Sequence, residues 1–199
     1  MAAECPKPSK KRHAVSENPR KSQFATGVIC PYEKRWNIMF FMEEKRILYH
    51  GSKQIVEYPE IRIARFNKDF YFGFYCTILM EQAKRWAIRF DGKGIMNEYA
   101  YSKNPNLKTL VFPTMTEEWL DFIVACRSGI PHDYDIVEGP MANDTIFNYI
   151  QNFVDGKISR AAFWELAKFK KPTHQISFHT ARSLQTLCFK SAYEVYDEK

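Results

Sequence analysis

At 199 residues the chain is long enough for one well-buried core and too short for two full domains. Hydrophobic residues at 45% with 16% aromatics mark a globular protein rich in rings, which excludes a wholly disordered or fibrous chain. Most of the formal +6 charge lies in residues 1–23, where Lys7, Lys10, Lys11, Arg12, Arg20 and Lys21 face Glu4 and Glu17; the remainder is close to neutral, so charge makes no case for nucleic-acid binding by the folded part.

In chain order, residues 1–23, with three prolines and the cluster Lys10-Lys11-Arg12-His13, cannot bury enough apolar surface to order themselves and read as a disordered basic tail. Residues 24–45 are an N-terminal extension in which 36–42 (WNIMFFM) is expected to pack on the domain. A short strand at 46–49 leads into His50-Gly51-Ser52, a polar corner where the strand is expected to end. Residues 55–63, with Pro59 inside, read as a loop or edge segment. The run 70–75 is five aromatics and one glycine, a wall that turns into a helix over 79–90 with Leu79, Ala83, Trp86, Ala87 and Phe90 on one face.

Gly92 and Gly94 mark a turn, and strands follow at 95–101 and 107–112. Thr114 with Glu117 forms a capping box for a helix that buries Trp119, Leu120, Ile123 and Val124 and ends at Gly129 and Pro131. Residues 134–137 are a brief strand. Two helices come next, over 144–154 behind the capping run Asn143-Asp144-Thr145 and from Ser159 as N-cap to 169. Lys168 to Lys171 reads as a solvated face. Strands at 174–178 and 187–196 flank a helical turn at 182–187. Strands and helices fall in segregated groups without regular βαβ alternation, so the fold class is α+β, in one domain over 46–196.

The five cysteines (Cys5, Cys30, Cys76, Cys126 and Cys188) are odd in number and form no CxxC pair, which argues against a disulfide framework and a thiolate zinc site. His132, His174 and His179 lack metal-ligand spacing, so no metal is expected. No apolar run reaches the length of a membrane span and no signal core precedes the domain; the simplest expectation is a cytoplasmic, reducing compartment with no membrane partner. Neither GxGxxG nor GxxxxGK occurs.

Three pieces can carry chemistry. They are His50-Gly51-Ser52, the pair Tyr75 and Trp86 eleven residues apart, and Gln175 at the head of HQISFHT. Two rings three helical turns apart either belong to the core or sandwich a flat heteroaromatic ligand.

Leu48-Tyr49-His50-Gly51-Ser52 resembles the first motif of the poly-ADP-ribose polymerases, members of the His-Tyr-Glu branch of the ADP-ribosyltransferases. Gly73-Phe74-Tyr75 followed by Trp86 resembles their second motif, a Tyr with another Tyr eleven positions on. The segments NKDFYFGFYCT, EEWLDFIVACRSG, HDYDIVEGPMANDTIF and THQISFHT also resemble an uncharacterised, mainly bacterial family assigned to the same fold. The match covers about residues 46–193.

This resemblance implies split antiparallel β-sheets with flanking helices and NAD as substrate. It implies that His50 holds the nicotinamide-side ribose hydroxyl, that Tyr75 and Trp86 stack on nicotinamide, and that the Gly51 backbone approaches the carboxamide. Two positions depart from the pattern. The third catalytic position, a Glu in the family, matches Gln175, which brings no negative charge; Glu138 is the alternative carboxylate. Ala83 stands where the polymerases have a serine that bonds the nicotinamide amide, a contact left to Ser52.

The expected activity is transfer of a single ADP-ribose to a macromolecular acceptor, protein or nucleic acid, by a toxin or effector that is delivered to a target cell or restrained by an antitoxin-like partner. The alternatives are a weak or inactive NAD- or ADP-ribose-binding module, and an interaction or nucleic-acid protein that uses the tail.

Overall fold

The computed structural model describes residues 45–63, 68–142, 144–167 and 173–197. The expected tail over 1–23, all but the last residue of the extension over 24–45, Asn143 and Lys168 to Lys171 lie outside the described residues. The fold is α+β.

Sheet A is β1 (Arg46–Ser52), β3 (Lys93–Tyr101) and β7 (Leu187–Tyr196), antiparallel in the order β1-β3-β7. Sheet B is β2 (Phe74–Cys76), β6 (Gln175–Phe178), β5 (Ile136–Gly139) and β4 (Thr109–Val111), in the order β2-β6-β5-β4. Its last pair, β4 with β5, is parallel. The expected split antiparallel sheets thus carry one parallel pair, and α2 (Glu117–Arg127) is the crossover that such a pair requires.

Alternation along the strands sorts the side chains into three cores. Leu48, Tyr99, Tyr101 and Leu187 of sheet A meet Phe74, Cys76, Ile136, Ile176 and Phe178 of sheet B in one buried cluster, so the sheets face each other. The far face of sheet B, through Val137, packs against α2, α3 (Asp144–Val154) and α4 (Arg160–Leu166). On the far face of sheet A, Met96 and Val195 receive Ala83 and Ala87 of α1 (Met80–Ile88).

That helix lies on the sheet at backbone distance. A Cβ on Gly51 would fall 2.1 Å from Ala83 O, and one on Gly94 would fall 2.2 Å from Ala87 O. Small residues on both surfaces let the backbones touch. The expected polar corner at His50-Gly51-Ser52 is accordingly strand, paired with Asn97, Met96 and Ile95, and Gly51 is where the helix crosses it.

Helix ends follow local chemistry. Ser159 Oγ accepts from Ala162 N, as its sequence position predicts. The cap of α2 is Thr116, accepting from Trp119 N at 3.3 Å, rather than Thr114; the helix starts two residues later than the Thr-x-x-Glu spacing suggests. A capping box occurs instead at Thr180 and Ser183, opening α5 (Ala181–Leu184). Gly92, Gly129 and Gly156, with φ of +71°, +84° and +71°, stop the helices before them in the left-handed conformation that favours glycine.

Gly94→Ala forces a methyl against helix backbone. It is expected to lower unfolding free energy by about 1–3 kcal/mol, read as a reduced urea midpoint at unchanged slope.

Candidate functional site

β1 and β2 meet at one bridge, Tyr49 N to Thr77 O at 2.8 Å and Thr77 N to Tyr49 O at 2.9 Å, and then splay apart. A side chain closes the first step of the split: His50 Nδ1 lies 2.7 Å from Tyr75 O. A carbonyl can only accept, so Nδ1 carries the proton and Nε2 of the neutral ring keeps its lone pair. The imidazole also packs on Phe74, with centroids 4.5 Å apart. Burial lowers its pKa, helped by the positive charges of Lys68 and Arg62 and opposed by the Tyr75 hydrogen bond.

Strand alternation sets the backbone groups in the split. Tyr49 turns its N–H and C=O toward β2, so Gly51, two residues on, turns its own the same way, while His50 O faces β3 and accepts from Asn97 Nδ2 at 3.2 Å. The floor thus offers a donor and an acceptor from one residue.

Tyr75 presents a ring that is pinned at its far end. Its hydroxyl donates to Tyr71 O at 2.6 Å and accepts from Phe70 N at 3.1 Å, across a turn whose Tyr71 has φ +70°. Burial drives the phenol pKa well up, so it remains a neutral donor. The Lys68 ammonium stands 4.7 Å from the ring centroid. The aromatic wall is therefore a tight turn over 70–73 and a three-residue strand, with Phe70 itself fully buried in the helical core.

Trp86 flanks the line along which Ala83 and Ala87 touch sheet A, and it is 42% exposed, so it is not the core residue that helical periodicity alone allows. Arg89 lies over its ring at 4.5 Å. Phe90, expected on the buried face, is 78% exposed because α1 ends before it. Among the described residues the Tyr75 and Trp86 rings make no direct contact with each other.

Gln175 shares a face of sheet B with Tyr75 and is buried. Its Nε2 donates to Asp69 Oδ2 at 3.1 Å and to Pro140 O at 3.3 Å, two acceptors that fix which end of the amide faces them. Asp69 is the hub of a buried network. Its Oδ1 accepts from Arg127 Nη2 at 2.5 Å and Nε at 3.2 Å, and its Oδ2 accepts from Ala142 N at 2.9 Å.

Glu138, the alternative carboxylate, points to the opposite face of sheet B. It takes Arg46 Nη2 at 2.6 Å, Arg46 Nη1 at 3.2 Å and His174 Nε2 at 3.0 Å. Burial pushes its carboxyl up, but the His174 and Arg46 hydrogen bonds outweigh this and bring the pKa to about 2. Its role is to tie sheet A to sheet B. Ser52 is also committed: its hydroxyl donates to Gln54 O at 2.5 Å and accepts from Asn97 Nδ2 at 3.1 Å.

The structure thus brings His50, Gly51 and Tyr75 to one split and sets Gln175 on the Tyr75 face, while Ser52 and Glu138 are spent on structure. A model of the family described as "Protein of unknown function (DUF3990)" matches residues 46–189. The chain belongs to that family. No curated protein matches it. The stretch matched to DUF3990 contains His50, Gly51, Tyr75, Trp86 and Gln175, together with Asp69 and Arg127.

Lys68, Asp69, Arg127 and Asn97 escape sequence reasoning. A lone Lys-Asp pair beside aromatics looks like solvated charge, and the partner of Asp69 lies 58 positions away.

Asp69→Ala leaves the Arg127 guanidinium buried without its carboxylate and is expected to cost about 3–5 kcal/mol. Gln175→Ala removes one donor to the same carboxylate and should cost less, about 1–3 kcal/mol. Paired denaturant titrations check the order; equal costs would show that Asp69 is not the hub.

Proposed function

We propose that the chain is a mono-ADP-ribosyltransferase that uses NAD and releases nicotinamide. The observation that carries this reading is the neutral His50 whose Nδ1–H is held by Tyr75 O, leaving Nε2 as an acceptor beside the unpaired edge of Gly51.

In this reading a ribose hydroxyl donates to His50 Nε2. The Gly51 N–H and C=O take the carboxamide oxygen and amide, and the Tyr75 face and the exposed Trp86 indole hold the pyridinium between them. Gln175, with Nε2 turned to Asp69, offers Oε1 to a second ribose hydroxyl. The C1′–N bond breaks with its electron pair leaving on nicotinamide, which becomes neutral. The acceptor nucleophile then bonds C1′ and its proton passes to solvent.

The developing oxocarbenium ion needs negative charge nearby, as in glycoside hydrolysis. Gln175 supplies none, and the Asp69 charge behind it is balanced by Arg127. Slow, single transfer is the consequence, without chain elongation. The acceptor is a macromolecule, and toxin or effector use and restraint by an antitoxin-like partner belong to the same reading.

The commitment of Glu138 to Arg46 and of Asp69 to Arg127 favours one other reading, a module that binds NAD or ADP-ribose without turning it over. Calorimetry showing NAD affinity without nicotinamide release separates the two.

The test is incubation of the full chain with labelled NAD and cell extract, wild type against His50→Ala. Protonation of His50 would occupy Nε2, and its pKa is lowered from the ordinary 6.5. The rate should therefore stay flat through neutral pH and fall only as the pH drops below about 6.5, by at least tenfold at full protonation. No nicotinamide and no labelled product from wild type, or equal rates in the two proteins, would overturn the transferase reading.

A further inference from the structure

The Tyr75 ring that the proposed function sets against a pyridinium already carries a cation on one face. Lys68 Nζ sits 4.7 Å from the ring centroid. No carboxylate pairs with it among the described residues, and its side chain is part-buried. Arg62 adds a second positive charge that acts on both Lys68 and His50. Burial, then Arg62, lowers the ammonium's pKa, the mark of a charge whose surroundings do not compensate it.

The backbone at this point is anchored. Asp69, the next residue, is held by Arg127 and Ala142 N, and Phe70 N donates to the Tyr75 hydroxyl. The lysine stem has four rotatable carbons on that fixed base, so the ammonium can leave the ring with no movement of the turn.

Resting on the reading of the site as a dinucleotide pocket, we propose that Lys68 is a placeholder: its ammonium holds the Tyr75 face until a pyridinium displaces it, and then swings to the incoming pyrophosphate. The charges balance this exchange. A ring face that prefers a cation accepts one at a time. The ligand brings one positive charge for the ring and two negative charges for the displaced lysine and Arg62. A neutral or phosphate-free ring compound lacks the second half and must evict the lysine without recompense. Lys68 would thereby select the whole dinucleotide over its fragments.

The experiment uses the full chain and two separated halves of the ligand, 1-methylnicotinamide (the ring-N-methylated pyridinium, without phosphate) and inorganic pyrophosphate. Affinities are measured by calorimetry for wild type, Lys68→Met and Lys68→Arg. Lys68→Met keeps the stem and removes the charge. It should bind 1-methylnicotinamide about tenfold tighter and pyrophosphate at least tenfold weaker, with a shallower salt dependence. Lys68→Arg should keep pyrophosphate affinity within about threefold of wild type. Among the described residues the side chain makes no hydrogen bond, and the loss of its cation–π contact is set against relief of a part-buried charge, so the urea midpoint of Lys68→Met should stay close to wild type.

Opposite shifts for the two probes support the exchange. A variant that moves both affinities the same way or neither, or a wild type that binds neither probe, overturns it. If the opposite shifts occur while NAD yields no nicotinamide, the placeholder stands and the transferase reading falls. If NAD is cleaved while Lys68→Met leaves both probes unchanged, the placeholder alone falls.

Discussion

The site depends on a pairing that stops after one step. Tyr49 and Thr77 exchange both backbone hydrogen bonds, and the next residues of β1 and β2 do not continue the ladder. Continuation would close the two sheets into one and consume the N–H and C=O of Gly51 and Tyr75. Instead the His50 ring occupies the split and spends its single proton on Tyr75 O. A buried carbonyl is satisfied, the imidazole is locked in one tautomer, and a backbone edge stays open. Structure and candidate chemistry share one hydrogen bond here.

Holding two sheets face to face around an interrupted seam requires ties elsewhere, and these are ion pairs at the margins of the core. Arg46 reaches from β1 to Glu138 on β5, and His174 shares that carboxylate while its own backbone exchanges bonds with Gln82 of α1. Asp135, buried before β5, gathers Lys108 N, Thr180 and Arg182. Asp69 gathers Arg127, Ala142 N and Gln175. Each carboxylate is hydrogen-bonded on both oxygens, the condition under which a buried ion is tolerated. Their loss would be felt as sheets and turns slipping relative to one another rather than as a cavity.

Much of the architecture was legible because periodicity and punctuation dominate it. The helix face of α2, the Ser159 cap, the turn at Gly92, the stop at Gly129 and the long last strand all follow from local pattern. The misreadings share one cause, a long-range partner overriding a local signal. His50-Gly51-Ser52 looks like a corner, yet it is strand because Asn97, Met96 and Ile95 lie beside it and α1 needs the missing side chain. Trp86 and Phe90 fit the apolar stripe, yet two alanines make the contact with sheet A, since that contact is at backbone distance and has no room for rings. In the candidate site, the resemblance singles out His50 and Gln175 and the eleven-residue interval singles out Tyr75 with Trp86, whereas Lys68 and Asp69 gain meaning from positions far along the chain.

The distribution of charge around the split decides what kind of ligand it suits. Glu138 and Asp69 stand near it, but each is neutralised by an arginine and fully hydrogen-bonded. Lys68 and Arg62 act on His50 as positive charges with no carboxylate to offset them among the described residues. A split with balanced anions and unbalanced cations presents a positive potential. The same imbalance that would draw phosphates also opposes a second positive charge at the reacting carbon. In the proposed reading, binding and chemistry pull in opposite directions: the groups that would capture a dinucleotide are the ones that would make its oxocarbenium ion costly. A Glu in place of Gln175 would supply negative charge but would set a second carboxylate within hydrogen-bonding distance of Asp69, where the two would repel. The amide at 175 instead donates to Asp69, which also holds Arg127, so in the proposed reading fold stability and catalytic power compete for the same position.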